Sequence, residues 1–420
     1  MGEFIINAVN IIFLVILSFA FFKFIPTNIK NFYWPGLLAK YSCGILYGLL
    51  YLHYYDGGDT FSYFNQGVLI ADIGRNDVEA YLRFLFFNEN EKAYDLAFSS
   101  IYHSRSFWMI KALSPFLILT ADNYWITACY FSLFGYLGIF YLVSTLIKIY
   151  PARRFDVLIC FFLFPSFVFW SSGFTKESLA IGSLFYLIGF SIKMLLRIKI
   201  SKAEFILLPI LLFIEWRVRV FYLSVFLLTI GIYLLFNFLS RKFKLSLAQK
   251  LVILGSSGFI FILAISQMDY SLNFSNFLEV LTYAYYDDYN KNPSNAIRYY
   301  NLEPSIFSLI INAPYALISG LFRPFIFDAQ TWPMILVGIE NLILLVLFIF
   351  NIKSFKKNYT SLEWTLWIYT FLLALFLALS SPNFGTLTRY KVAFLPIFLF
   401  LVLKENPILN KVGKGRIEGV

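Results

Sequence analysis

Two carboxylates flank a pair of glycines in the stretch His53–Asn65, HYYDGGDTFSYFN. Asp56 and Asp59 follow a long apolar run, and the two glycines between them allow the sharp turn that would present both acids together. A carboxylate on such a turn can take a proton from a hydroxyl group or bind a divalent ion. The alternative is an interfacial turn whose acids only face water, because turns attract Asp and Gly for conformational reasons.

Aromatic residues crowd both sides of this turn. Rings with polar tips suit a membrane-water boundary, and they can also stack on sugar or lipid head groups. The rings beside the turn are Tyr54, Tyr55, Phe61, Tyr63 and Phe64, and this composition fits a site that handles something amphiphilic.

The composition excludes an ordinary soluble globule. Of 420 residues, 60% are hydrophobic and only 14% are charged, which predicts an all-α, polytopic integral membrane protein with one transmembrane domain over residues 1–420. The net charge of +10 resides in short links between apolar runs, so it indicates membrane orientation rather than nucleic-acid binding.

Runs of roughly 20 apolar residues predict about eleven transmembrane helices. The first run, Phe4 to Phe22, lacks a basic leader and is predicted to be a retained span. Further expected spans include 155–170, 251–267 and a pair within 206–239.

The positive-inside rule orients these spans. Every basic link falls on the cytoplasmic side, together with the C-terminus, if residues 306–322 dip into the membrane and return. The outer loops are then about 53–123 and 268–332, and residues 107–120 are a second candidate for a re-entrant or interfacial helix.

This topology gathers the unusual polar residues on the outer face. Ionisable groups at membrane depth are costly and usually mark a pathway or a reaction site, and arginines opposite carboxylates suit an anionic substrate that also needs a base. Besides the two turn acids, the group comprises Ser171, Ser172, Thr175, Lys176, Glu177, Glu215, Arg217, Arg219, Asp287, Asp288, Asn383, Thr386, Arg389 and Lys391.

Each member also has a structural alternative. Thr175 could be a helix N-cap, with Glu177 favoured by the positive helix end. Arg217 and Arg219 could snorkel at an interface, Arg389 could be a topology signal, and Asp287 and Asp288 could lie in a solvated loop.

No dedicated metal centre is predicted. His53 and His103 are the only histidines and lie 50 residues apart, which argues against zinc and against a His-based triad. No cofactor is required by the sequence, although the acids are compatible with a divalent cation such as Mg or Mn.

Three short stretches resemble the GT-C superfamily of membrane glycosyltransferases. They are DGGDTFSYF, the Thr388-Arg389-Tyr390 sequence that leads into the apolar run Val392 to Leu403 with Pro396, and FPSFVFWSSGFTKES, which is similar to a motif of bacterial polysaccharide-biosynthesis membrane proteins. The layout departs from that superfamily in two respects, because two apolar runs rather than one precede the acidic loop and no counterpart is expected for the large soluble outer domain that some members carry.

The resemblance implies transfer of a sugar from a polyprenyl-phosphate-linked donor to a glycan, lipid or protein acceptor at the outer face of a bacterial inner membrane. Asp59, or alternatively Asp56, would be the base. Lys176, Arg217, Arg219 and Arg389 would bind the donor phosphate, and Tyr63, Trp170, Glu177 and Asn383 would contact substrate.

Two other function classes compete with this interpretation. An O-antigen-type polymerase would depend on arginines rather than on a carboxylate base. A lipid-linked glycan transporter or flippase would place its charged residues near span centres, whereas here they cluster at span ends.

Overall fold

The computed structural model of the protein describes residues 2–87, 105–242, 274–352 and 359–404. Within these ranges the chain is helical, and its only β-type pairing is a single bridge between Ala296 and Asn383. The helices are α1 Gly2–Phe22, α2 Tyr33–His53, α3 Gly58–Asn76, α4 Val78–Phe87, α5 Arg105–Thr120, α6 Tyr124–Ile149, α7 Arg154–Leu158, α8 Pro165–Trp170, α9 Lys176–Leu195, α10 Lys202–Lys242, α11 Phe274–Lys291, α12 Ile306–Phe322, α13 Trp332–Ile352, α14 Ser361–Ser380, α15 Phe384–Tyr390 and α16 Leu395–Lys404.

Among the described residues, six helices are long and apolar enough to cross a membrane, namely α1, α6, α9, α10, α13 and α14. The pair α15 and α16 meets the same criteria when taken together, although its two parts are bent by 65°. The predicted all-helical fold is therefore confirmed for the described residues, and these apolar helices are compatible with the predicted integral membrane protein, while the count of about eleven spans stays a prediction. The expected span 251–267, the basic link 353–357, His103 and the tail beyond Lys404 lie outside the described residues.

The expected span over residues 155–170 is wrong as a single helix. The chain forms α7, then a π-helical turn over Ile159–Leu163, and then an extended residue at Phe164 before α8 begins at Pro165. A residue that precedes proline is pushed away from helical backbone angles, so the break at Phe164 follows from the local sequence.

The two spans expected within 206–239 belong to one 41-residue element, α10. Its helical path breaks at Arg219, where φ is −143° and ψ is 66°. The charged residues expected to join two spans therefore lie at and just before this kink.

Two shorter apolar helices carry an internal proline. α5 passes through Pro115 and α12 passes through Pro314 without ending there. α12 has 17 residues, fewer than the roughly 20 that a perpendicular span requires. Its re-entrant path, like the orientation of all the helices, stays a prediction.

The described helices divide into two compact units, each with its own internal helix packing. Unit 1 comprises residues 1–149 and 168–220, and unit 2 comprises residues 150–167 and 221–420.

Unit 1 is held together where α6 and α9 approach each other at glycines. A side chain added at Gly138 would overlap the carbonyl oxygen of Gly182, and one added at Gly135 would lie 3.0 Å from the carbonyl oxygen of Ser178. Small residues allow such close backbone approach between membrane helices, where packing rather than the hydrophobic effect drives association.

Unit 2 uses polar contacts as well as a close approach. A side chain at Gly320 of α12 would overlap the carbonyl oxygen of Ala374 in α14. Asn351 of α13 donates to the carbonyl oxygen of Val402 in α16 at 2.7 Å. Side-chain hydrogen bonds to neighbouring helices are typical of membrane bundles, because unsatisfied polar groups are costly in lipid.

We expect Gly138→Ala to destabilise the protein by about 1–3 kcal/mol, the range typical of overpacking. The added methyl group meets backbone atoms of Gly182, which cannot rotate away as a side chain would. Gly2→Ala is the matched control, because a side chain there meets nothing within 4 Å. Thermal unfolding of both variants in detergent would measure the difference, and equal midpoints would contradict the close approach of α6 and α9 at these glycines.

Candidate functional site

The turn between α2 and α3 has the shape that its two glycines predict. Asp56, Gly57 and Gly58 all have positive φ values, of 47°, 91° and 51°. Such angles are easy for glycine and are tolerated by Asp more than by most residues. The turn is closed by a hydrogen bond from the Gly57 amide to the Tyr51 carbonyl oxygen at 2.7 Å.

Both predicted acids are exposed on this turn. Asp56 lies within the turn itself, whereas Asp59 lies in the first turn of α3. The positive end of a helix favours a carboxylate at that position. Asp59 therefore has a helical backbone at a favourable helix position, whereas Asp56 has a positive φ.

Thr60 joins this turn to the second sequence motif. Its hydroxyl donates to the Phe174 carbonyl oxygen at 2.7 Å and lies 2.9 Å from the Tyr124 hydroxyl, which can donate to it in turn. The Phe61 ring stacks on the Tyr124 ring, with centroids 4.4 Å apart. The two stretches DGGDTFSYF and WSSGFTKES are thereby brought together in unit 1.

The start of α9 lies close to α3. Thr175 is the N-cap that its sequence position predicts, because its side chain accepts the Ser178 amide at 3.0 Å. The Lys176 ammonium lies over the Tyr63 ring, 4.9 Å from the centroid. A predicted cation thus meets a predicted stacking residue, and that residue lies on the same helix as Asp59.

Trp170 has a different environment from Tyr63. It is 8% exposed and packs edge-on against Phe169 and Tyr47. The structure gives it a packing role, and its contact with a sugar stays a prediction.

Glu177 and Arg219 form a buried ion pair, so their predicted roles involve each other. Their side chains are only 5% and 18% exposed. Arg217, two residues before Arg219, is instead exposed. Of the two predicted phosphate-binding arginines of α10, Arg217 is therefore the one that reaches the surface of unit 1.

Glu215 is fully buried four residues before the kink of α10. Neither of its carboxylate oxygens has a hydrogen-bond partner among the described residues. It interacts electrostatically with Arg219, whose charge is already paired with Glu177. A buried carboxylate without a hydrogen-bond partner is costly, which marks Glu215 as an unusual residue of an apolar helix.

Sequence reasoning missed Lys40, a buried cation of α2. It is 1% exposed, and its ammonium donates to the Ser171 carbonyl oxygen and, at 2.8 Å, to the Ser171 hydroxyl. The signal that could have revealed it is a lysine in the middle of an apolar run, since such residues are rare within membrane helices.

In unit 2, the two polar segments predicted to lie on the outer face meet each other. The Ile297 amide donates to the Pro382 carbonyl oxygen at 2.9 Å, beside the bridge between Ala296 and Asn383. The Asn383 amide also donates to Asp288 at 3.3 Å. These two segments are therefore paired within unit 2, while their location on the outer face stays a prediction.

Asn383 has a defined structural role at the start of α15. Its side-chain oxygen accepts the Gly385 amide at 2.9 Å and the Thr386 amide at 3.2 Å, which caps this short helix. Arg389, near the other end of α15, is half-buried and interacts electrostatically with Asp288.

Burial raises the pKa of Asp288. The neighbouring charge of Asp287 raises it further, whereas the hydrogen bond from Asn383 and the charges of Lys291 and Arg389 act in the opposite direction and only partly offset the effect of burial.

Lys391 was grouped with Arg389 in the sequence but is fully buried. Its ammonium donates to the Arg323 carbonyl oxygen at 3.1 Å and to the Asn341 side-chain oxygen at 3.0 Å. Asn341 in turn donates to the Pro324 carbonyl oxygen at 2.8 Å. Lys391 therefore fixes the end of α15 against α13 and the loop after α12.

Within the described ranges, no group of three or more His, Cys, Asp or Glu side chains is placed to hold a metal ion. A divalent cation at the acids of the turn stays a prediction.

Comparison of the chain with protein-family models, with curated protein sequences and with solved structures gave no match.

The buried pair gives a stability prediction for Arg219→Met. Removing the guanidinium takes away the ion-pair partner of the buried Glu177 carboxylate, which typically costs about 3–5 kcal/mol. The double variant Arg219→Met/Glu177→Gln removes both charges and should recover most of that loss. Unfolding in detergent would test this, with Arg217→Met as the exposed control that should change stability by less than about 0.5 kcal/mol. A double variant as unstable as Arg219→Met would contradict the pairing.

The raised pKa of Asp288 predicts a pH-dependent effect of Asp288→Asn. Because the folded protein disfavours the charged carboxylate, the cost is absent below the unfolded-state pKa of about 3.9 and is present above the raised value. We therefore expect Asp288→Asn to gain stability relative to the natural protein as the pH rises from about 4 to 7. Glu279→Gln, which removes an exposed charge on the same helix, is the control. A gain that does not change over this pH range would contradict the assignment.

Proposed function

We propose that this protein is a membrane glycosyltransferase that moves a sugar from a polyprenyl-phosphate-linked donor to a hydroxyl group of a glycan, lipid or protein acceptor. The reaction would belong to polysaccharide biosynthesis at the outer face of a bacterial inner membrane. Membrane helices among the described residues support the setting, and the chemistry rests on the residues of unit 1.

One observation carries the proposal, namely that an exposed carboxylate and a cation lie in the first turns of two neighbouring helices. Asp59 is the second residue of α3 and Lys176 is the first residue of α9, and the bond from Thr60 to the Phe174 carbonyl oxygen ties the two helix starts together. A base beside a positive charge suits a reaction in which a hydroxyl group attacks a carbon that carries an anionic leaving group.

In the proposed reaction, Asp59 takes the proton of the acceptor hydroxyl group. The acceptor oxygen forms a bond to the anomeric carbon as the bond from that carbon to the phosphate oxygen breaks. The polyprenyl phosphate leaves with an additional negative charge, which Lys176 and the exposed Arg217 would stabilise. The sugar ring would stack against the Tyr63 ring.

Asp59 is a better candidate base than Asp56. Both are exposed, but Asp59 is held by a helical backbone and directly precedes the buried, doubly hydrogen-bonded Thr60. A base must remain within hydrogen-bond reach of one proton, so a fixed backbone favours it.

Arg389 of unit 2 is a second proposed phosphate-binding group. It is half-buried at the edge of the paired outer segments, and a guanidinium fork matches phosphate oxygens. We assign it binding of a lipid phosphate, independently of the acid in unit 1.

We expect Asp59→Asn to lower sugar transfer by about 10²–10⁴-fold, the usual contribution of a general base, because the amide cannot accept the proton. Transfer from a labelled polyprenyl-phosphate sugar pool in membranes would measure the loss at matched protein abundance. Asp56→Asn should retain more activity, and Asp72→Asn, an exposed acid later in α3, should retain nearly all.

The same assay separates the competing functions. Full activity in both Asp56→Asn and Asp59→Asn, together with loss in Arg389→Ala, would contradict a carboxylate base and favour an O-antigen-type polymerase. Transport of an intact lipid-linked glycan without any transfer would favour a flippase.

A further inference from the structure

Lys40 directs its charge at the turn that separates α8 from α9, Ser171–Thr175. Its ammonium donates to both the carbonyl oxygen and the hydroxyl of Ser171, and both residues are almost completely buried. A lysine inside a membrane protein is costly unless its donors are bound, so these contacts are a requirement of its burial.

Hydrogen bonds and a close backbone contact also hold Gly173 in this turn. The Gly173 amide donates to Ser132 at 2.8 Å, and Ser178 donates to the Gly173 carbonyl oxygen at 2.8 Å. Gly173 has φ of +79°, and a side chain there would lie 3.0 Å from the Gly44 carbonyl oxygen. Gly44 lies one helical turn after Lys40, so α2 contacts the turn through both residues.

The turn fixes the pair of helix starts that carry the proposed chemistry. Phe174 accepts the Thr60 hydroxyl next to Asp59, and Thr175 caps the helix that begins with Lys176. A displacement of the turn would therefore move the proposed base and the proposed cation relative to each other.

We propose that Lys40 is a positioning residue of this site, which sets the geometry of Asp59 and Lys176 through the Ser171–Phe174 backbone. The inference rests on the proposed transferase function for its catalytic meaning, although the positioning itself is a structural property that can be tested without it.

A serine nucleophile activated by Lys40 is the competing assignment. The separation of 2.8 Å between the ammonium and the Ser171 hydroxyl is within the hydrogen-bond reach expected for a nucleophile and its base. However, Ser171 is 0% exposed, and the same ammonium also binds the Ser171 carbonyl oxygen. Burial and shared bonding favour a structural clamp over a nucleophile.

Lys40→Met tests the proposal, because methionine keeps much of the side-chain volume and removes the donors. The matched control is Lys193→Met, which deletes another buried lysine of unit 1 whose partner is Glu204, at 2.8 Å. Both variants lose a buried charge, but Lys193 lies near the opposite end of α9 from Lys176.

The first measurement needs no ligand. In a protein whose three cysteines are replaced by alanine, Tyr63→Cys and Lys176→Cys are bridged by a short bis-maleimide. We expect the double-cysteine protein to be bridged at a similar rate whether it has no further change or also carries Lys193→Met. With Lys40→Met we expect the bridging rate to be at least fivefold lower. An unchanged rate in folded Lys40→Met protein would overturn the proposal.

The second measurement uses a short-chain polyprenyl phosphate as the probe, bound to purified protein in detergent. We expect Lys40→Met to weaken binding at least tenfold and Lys193→Met to leave it within threefold. A natural protein that does not bind the probe contradicts the proposed function alone, because the bridging result stands by itself.

Ser171→Ala separates the clamp from the nucleophile. The variant keeps the carbonyl oxygen that Lys40 binds, so bridging and sugar transfer should stay within about threefold of the natural protein. Complete loss of transfer in Ser171→Ala with normal bridging would show that the hydroxyl itself reacts, and would overturn the positioning role.

Discussion

The hydrogen bond from Thr60 to the Phe174 carbonyl oxygen is the constraint on which the proposed site of unit 1 depends. It joins residues that are 114 positions apart in the chain, and both of its groups are buried. Phe174 lies in a turn that has left the helical ladder, so its carbonyl oxygen needs a partner from elsewhere. When the Thr60 hydroxyl donates to this oxygen, it also fixes the position of Asp59, the residue that precedes Thr60.

Similar requirements explain why buried polar side chains recur at the breaks between helices. The Lys40 ammonium donates to the Ser171 carbonyl oxygen before α9, and the Lys391 ammonium donates to the Arg323 carbonyl oxygen after α12. The Asn383 side-chain oxygen accepts hydrogen bonds from the first backbone amides of α15. In each case a side chain supplies the hydrogen-bond partner that a backbone group lacks where the helix is interrupted. Broken helices are tolerated in membrane proteins on this condition, and they are also where backbone and side chains become available for chemistry.

Local signals in the sequence predict much of the fold, whereas long-range pairing could not be foreseen. Apolar runs locate the long helices, Pro165 dictates the break at Phe164, and Thr175 is recognisable as a cap. Glu177 and Arg219 are recognisable as unusual, but nothing in their spacing indicates that they pair with each other. The contacts of Lys40 are more difficult to predict, because it is a single charge within an apolar run and other helices determine its surroundings. The sequence therefore identifies many of the polar residues that matter, but not which of them bind one another.

The distribution of exposure among the acids bears directly on their chemistry. The Glu177 carboxylate forms an ion pair with Arg219, and Glu215 is fully buried. An acceptor hydroxyl therefore cannot contact either carboxylate unless α9 or α10 rearranges. Asp59 is exposed, yet its backbone is fixed on both sides, by the Gly57–Tyr51 bond before it and by Thr60 after it. A general base needs access and a fixed position together, because proton transfer requires close contact in a defined geometry. Of these three acids, Asp59 is the one that combines the two properties, which is why the proposed mechanism begins with it.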